Sequence, residues 1–68
     1  MRRDILDKNR MIIGFLDITE GFVTAYHIRK GYCGRYVVSS DITFDRDGKM
    51  YTFGDATETL IRNAEDVK

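Results

Sequence analysis

The chain contains no proline and no tryptophan, and it has one cysteine and one histidine in 68 residues. With Cys33 as the only cysteine, an internal disulfide is excluded. With His27 as its only companion, a four-ligand Cys/His zinc site lacks donors. No apolar run approaches the roughly 18 residues of a membrane-spanning helix. Charge of one sign is not in excess either: eleven Lys plus Arg balance eleven Asp plus Glu. That balance speaks against a general polyanion binder and leaves room only for a local basic patch. No Gly-rich loop leads into a helix and no Ser/His/Asp arrangement occurs, so the expectation is a non-enzyme without a cofactor. Met1-Arg2-Arg3 is basic, but Asp4 and Asp7 follow and no apolar h-region comes after. It does not read as a signal peptide, and a cytoplasmic location is expected, which a lone thiol fits.

What remains is a soluble composition, 43% apolar and 32% charged, in one domain spanning residues 1–68. A chain of this size buries only about 60% of its unfolded surface, so a lone monomer is marginal. With an internal disulfide excluded and a four-ligand zinc site short of donors, self-association is the remaining support.

Glycine and aspartate punctuate the chain. Met11 to Leu16 (MIIGFL) is apolar without alternation, the pattern of a strand covered on both faces. Gly14 inside it marks a bend, a bulge or a close backbone approach. Asp17 to Gly21 reads as a turn. Phe22 to Arg29 alternates, with Phe22, Thr24, Tyr26 and Ile28 on one side and Val23, Ala25, His27 and Arg29 on the other. Lys30-Gly31 is a two-residue turn candidate, Tyr32 to Val38 the next strand, and Ser39-Ser40-Asp41 a turn. Ile42 to Phe44 and Lys49 to Phe53 then flank Asp47-Gly48, a type I′ hairpin signal. After Gly54 the period changes. Asp55 and Glu58 have capping-box spacing. Ala56, Leu60, Ala64 and Val67 form one stripe with Ile61 beside it, while Arg62, Glu65, Asp66 and Lys68 form a solvated face. The expected fold is mostly β (α+β): an antiparallel meander of about five strands over residues 5–54, a small barrel, half-barrel or β-repeat, with one C-terminal helix over residues 55–66.

Three hairpins share a pattern. Leu6-Asp7-Lys8-Asn9-Arg10 precedes MIIGF, Tyr26-His27-Ile28-Arg29-Lys30-Gly31 precedes YCGRY, and Phe44-Asp45-Arg46-Asp47-Gly48 precedes KMYTF. Aligned on their turns, they place Thr52, not Gly54, opposite Gly14. The pattern aromatic-Asp-x-Asn/Asp-Gly-x-x-x-Gly-aromatic resembles the repeats of the small bacterial four-fold β-flower domains. Asp45-Arg46-Asp47-Gly48-Lys49 carries the likeness best. Arg10 stands where glycine is expected, and His27 where aspartate is. About three units are visible, with a helix in place of a fourth. The resemblance implies hairpins arranged about a pseudo-symmetry axis and supplies no catalytic residues.

Candidate sites are few. Asp45-Arg46-Asp47-Gly48 does not continue as a calcium loop, because Lys49 and Ala56 stand where ligands belong. His27 and Cys33 lie diagonally on paired strands, without a third group to orient a base; Cys33 reads as a small buried hydrophobe. Arg29, Lys30, Tyr32, Arg35 and Tyr36 form the one basic and aromatic cluster, the candidate partner-binding set. Met11, Ile12, Ile13, Phe15, Leu16, Leu60, Ile61 and Ala64 form the candidate oligomer interface. The leading expectation is an interaction or assembly module whose partner is itself. The alternatives are a small nucleic-acid-binding module using hairpin 29–36 and a small inhibitor or immunity-type protein that occludes another protein; no membrane partner is expected.

Overall fold

The computed structural model describes residues 1–66; Val67 and Lys68, assigned above to the helix stripe and its solvated face, lie outside the described residues. Six strands form one antiparallel sheet in chain order: β1 (Arg2–Leu6), β2 (Ile12–Ile18), β3 (Phe22–His27), β4 (Gly31–Val37), β5 (Ile42–Asp45) and β6 (Met50–Phe53). One helix, α1 (Thr57–Asp66), follows and packs across β2, β3 and β4. The meander and the C-terminal helix are those expected. The sheet stays open, with β1 and β6 as its two edges, so no barrel closes. The sixth strand is β1. Its sequence RRDIL is mostly charged, and only pairing with β2 makes it a strand. No described helix is long and apolar enough to cross a membrane.

The turns differ in one respect from the two-residue reading. The Asp45 N–H donates to the Lys49 carbonyl (2.8 Å) and the Gly48 N–H to the Asp45 carbonyl (3.0 Å). The loop is thus the three residues Arg46-Asp47-Gly48, ending on a glycine at φ 82°. A type I turn plus one left-handed residue matches strand twist, as a type I′ turn does. The side chain decides between them: Asp45 Oδ1 accepts the N–H groups of Asp47 (2.9 Å) and Lys49 (3.0 Å) and fixes the longer loop. The first hairpin repeats this geometry. Asp7 Oδ1 accepts from Asn9 (2.8 Å) and Met11 (3.0 Å), and Arg10 takes the left-handed position at φ 64°. In the middle hairpin His27 pairs with Gly31, so Lys30-Gly31 is not a two-residue turn. There the acceptor is His27 Nδ1, which receives the N–H groups of Arg29 (3.1 Å) and Lys30 (3.2 Å).

Each hairpin also carries a bulge at the same distance past its turn. The extra residue is Ile13 in β2, Cys33 in β4 and Tyr51 in β6. The residues next to them are Gly14, Gly34 and Thr52, as the turn-anchored alignment orders them. Arg10 is the one non-glycine among the three left-handed hairpin positions. A left-handed L-residue costs roughly 1–2 kcal/mol, so Arg10→Gly is expected to raise stability by about 0.5–1 kcal/mol once roughly 0.5–1 kcal/mol of added unfolded-state entropy is subtracted. A urea midpoint compared with wild type measures it.

The core lies between α1 and the sheet. Ile5, Ile13, Leu16, Val23, Ala25 and Cys33 from the strands meet Leu60 and Ile61 from the helix. Small residues let the helix approach. A methyl group built on Gly14 would lie 2.8 Å from Ile61 Cγ2, and one on Gly34 would lie 2.7 Å from Leu60 Cδ1. The two glycines are the seats of the two principal helix side chains.

Both ends of α1 are tied to strands. At the start, the Asp55 carboxylate accepts from the Thr57 N–H (3.0 Å) and hydroxyl (2.5 Å). Thr43, fully buried, donates its hydroxyl to the Gly54 carbonyl (2.5 Å) and accepts the Ala56 N–H (3.0 Å). Glu58 does not close the expected capping box; it faces Arg3 (3.5 Å) and Arg62 (3.8 Å) instead. At the far end no basic residue stands in the last turn among the described residues. The middle hairpin supplies the cations: Lys30 Nζ donates to the Ala64 carbonyl and Arg29 binds Glu65. Positive groups there complement the partial negative charge of the helix C-terminus.

Candidate functional site

The helix covers one face of the sheet. Strand registers show what the other face presents. Leu6 pairs with Ile12, Asp4 with Phe15, Phe15 with Tyr26, and Tyr26 with Tyr32. Phe22 pairs with Val37, Arg35 with Phe44, Phe44 with Met50, and Ile42 with Phe53. All of these alternate with core residues, so all lie on the uncovered side. Phe53 is 69% exposed, Met50 51% and Phe22 43%.

The aromatics are ordered against each other. Phe15 and Tyr26 stack with ring centroids 5.0 Å apart, and Tyr32 meets Tyr26 edge-on at 6.2 Å. The Arg2 guanidinium lies 4.0 Å over the Phe15 ring, and that of Arg35 lies 5.4 Å over Phe22. Such contacts contribute about 0.5–1 kcal/mol each at exposed sites. The face also bears Asp4, ion-paired with Arg2 at 3.2 Å, and Asp17, which pairs with Thr24 in the ladder. Arg2 and Arg35 against Asp4 and Asp17 leave this face without net charge.

The candidate residues read from the sequence divide. Ile12 and Phe15 lie on the uncovered face, and Met11 is exposed at the first hairpin. Ile13, Leu16, Leu60 and Ile61 are buried in the chain's own core, with Ala64 at its margin. Their apolar surface is already covered by the helix docking on its own sheet. Of the basic and aromatic set, Tyr32 and Arg35 are on the uncovered face. Arg29 and Lys30 hold the helix end. Tyr36 packs against the core and donates to Asp41 Oδ1 at 2.7 Å. That hydrogen bond holds the Tyr36 phenol above the usual tyrosine range. The sequence reading missed Phe22, Tyr26, Phe44, Met50 and Phe53. The signal was present in β3, where the bulky residues fall on one side and Val23 and Ala25 on the other.

The His27–Cys33 pair is not joined. His27 Nε2 meets Glu65 Oε1 at 2.9 Å and Nδ1 accepts the turn amides, so both nitrogens are engaged. The Cys33 thiol donates to the Gly31 carbonyl at 3.4 Å. It floors a cleft of about 230 Å³ bordered by Lys30, Tyr32, Arg46, Leu60 and Ala64. Burial pushes the Cys33 thiol above the usual range, against weaker opposing effects of a backbone hydrogen bond and of Arg46 and Lys30. A raised value favours the neutral thiol in the folded state. Its contribution is complete below the ordinary thiol range and is lost as pH rises through the folded value. Native Cys33 is therefore expected to react with iodoacetamide at least about tenfold more slowly than the urea-unfolded chain near neutral pH, since the thiolate is the nucleophile. A time course followed by mass spectrometry measures this.

Comparison with family models, curated proteins and solved structures finds no match for this chain. The class that the fold and surface define is a six-stranded meander with one helix on one side and an aromatic, charge-balanced sheet face on the other.

Proposed function

We propose that the chain is a non-enzymatic assembly module that works as a homo-oligomer, a second copy covering the open sheet face. The observation that carries this reading is the band of exposed side chains from Leu6 and Ile12 through Phe22 and Tyr32 to Met50 and Phe53. A contiguous apolar surface of this extent on a small protein marks an interaction site. Its size fits one partner of the same kind. The molecule measures 34 × 25 × 17 Å, the thin direction being one helix layer on one sheet. The footprint of the broad face is close to the ~800 Å² that each partner contributes to a standard interface. Its charges suit a copy of itself, because Arg2, Arg35, Asp4 and Asp17 offer both signs for reciprocal pairing about a two-fold axis. Two such faces would pack as a sandwich about 10 Å thick.

The nucleic-acid reading has one observation in its favour, the arginines lying among stacked aromatic rings on a sheet. Asp4 and Asp17 on the same face oppose it, and Arg29 and Lys30 are turned to the helix. Light scattering on a sizing column tests the proposal: a dimer or larger closed oligomer is expected at micromolar concentration, and a monomer throughout the accessible range would overturn it. Oligonucleotide binding that weakens with salt would favour the competing class.

A further inference from the structure

On the helix side of the sheet, α1 lies over β2, β3 and β4. Beside it the surface opens into the cleft of about 230 Å³ that Cys33 floors. The bulge in β4 puts the thiol there. In a regular ladder residues 33 and 34 face opposite sides, yet Cys33 joins the core and Gly34 seats Leu60, so both face the helix. Where the first hairpin has Ile13 as its bulge residue, the middle one has the smaller Cys33. The helix gives Leu60 to one wall and only Ala64 one turn later, and Tyr32 borders the space from the start of β4. No side chain fills it.

The charged groups at the mouth are Lys30, Arg46 and Asp45. Asp45 Oδ1 is committed to its own turn, accepting the N–H groups of Asp47 (2.9 Å) and Lys49 (3.0 Å). Lys30 Nζ donates to the Ala64 carbonyl, which fixes its charge at the rim without neutralising it. Arg46 takes part in none of the ion pairs found among the described residues. Its planar fork of N–H donors matches a carboxylate. The fields of Arg46 and Lys30 reach the Cys33 sulfur, where burial is the larger influence. Two cations against one carboxylate leave the mouth positive, in a chain whose net charge is zero.

We propose that this cleft binds a small amphipathic anion, a free monocarboxylate with a short hydrocarbon body. The body lies against Cys33, Leu60 and Ala64, and the carboxylate meets the Arg46 guanidinium, with Lys30 adding its field. An apolar floor under a positive mouth selects for that combination. A cation is repelled at the rim, and a sugar or another polar neutral solute would lose its hydrogen bonds at the floor. Size narrows the class further. At roughly 30 Å³ for each water-sized group, a cleft of about 230 Å³ takes about eight non-hydrogen atoms, the size of hexanoate and smaller than a nucleotide. No bond forms, and Cys33 remains a thiol. The site is on the helix side of the sheet, so it does not depend on a second copy covering the other face.

Nuclear magnetic resonance titration of the intact chain tests this, with hexanoate as the probe and acetate and 1-hexanol as its two halves. Hexanoate is expected to shift the amides of Cys33, Arg46, Leu60 and Ala64 saturably, with a dissociation constant of about 1 mM for so small a ligand. Acetate, which lacks the body, and 1-hexanol, which lacks the charge, should each bind at least about fivefold more weakly. Arg46 is exposed, so Arg46→Gln should fold as wild type does. It is expected to weaken hexanoate about fivefold and to leave 1-hexanol unchanged. The proposal is overturned by any of four results: no saturable shift at these amides up to about twenty times the expected constant, acetate or 1-hexanol binding as tightly as hexanoate, hexanoate affinity unchanged in Arg46→Gln, or saturable shifts that fall on Phe15 and Phe22 across the sheet instead.

Discussion

Gly34→Ala and Gly14→Ala are each expected to abolish cooperative folding, whereas Gly21→Ala should leave the thermal midpoint unchanged. A Cβ on Gly34 would stand 2.3 Å from the Phe44 carbonyl oxygen and 2.7 Å from Leu60 Cδ1. Gly34 also sits at φ 140°, a backbone region that residues with a side chain avoid. At Gly14 the obstacle is steric alone, 2.3 Å from the Tyr26 carbonyl oxygen and 2.8 Å from Ile61 Cγ2. Overpacking costs about 1–3 kcal/mol where neighbours are able to yield. Main-chain carbonyls inside a sheet do not yield, so the loss lies at or above the top of that range. A chain of this length has about 3–5 kcal/mol of net stability to lose, so either substitution removes most of it. Gly21 meets nothing within 4 Å and serves as the control. Far-UV circular dichroism melts measure all three. A second variant separates the two obstacles: adding Ile61→Ala to Gly14→Ala should give no rescue, because the Tyr26 carbonyl remains. Recovery of folding in that double variant would show that the helix side chain, not the backbone, was the obstacle.

What the sequence made legible, and what it hid, divides along local and non-local lines. Asp47-Gly48, the alternation of β3 and the Asp55 cap are local signals, and each marks an element that forms where it was read. The register past the turns was legible too, since aligning on Asp7, His27 and Asp45 places Thr52 beside the bulge as Gly14 and Gly34 are placed. The exact loop lengths were not, because the same Asp-Gly pair serves a two-residue and a three-residue turn and the choice lies in an aspartate side chain reaching two amides. Likewise β1 was hidden: its charged residues carry no strand signal, and Arg3 finds its partner Glu58 on the helix, far along the chain.

The uncovered face was hidden for a physical reason. Aromatic residues are usually taken as core and small residues as filler. In β3 the reverse holds. Val23 and Ala25 face the helix because a helix seated on Gly14 and Gly34 leaves no room for rings, and Phe22 and Tyr26 face away. The apolar run MIIGFL reads as a strand covered on both faces, but only one of its faces is covered within the chain: Ile13 and Leu16 meet the helix, Ile12 and Phe15 do not. His27 shows the same limit. Its role depends on Glu65, 38 positions away, and no local pattern joins them.

Tyr26→Lys is expected to convert the proposed oligomer to monomer while leaving the fold intact. Tyr26 stands at the centre of the uncovered face, stacked on Phe15 at 5.0 Å and met by Tyr32 at 6.2 Å. Central aromatic residues carry most of the energy of an interface, commonly about 2–4 kcal/mol each. An unpaired ammonium buried between two copies adds a penalty of its own, because it leaves water without a fixed partner. A combined loss of about 3 kcal/mol weakens association more than a hundredfold, enough to separate a micromolar dimer. Within one chain the same lysine reaches solvent along the open face, and the fold loses mainly the ring stacking, about 0.5–1.5 kcal/mol. The two effects are measured apart: solution mass by light scattering across a dilution series, and stability by urea unfolding. Ser39→Lys, in the exposed loop between β4 and β5, adds the same charge away from the face and should alter neither. If Tyr26→Lys keeps the wild-type mass, the second copy does not sit on this face. If it loses mass only together with folding, the residue is a core residue of the single chain, and the aromatic face is not the assembly surface.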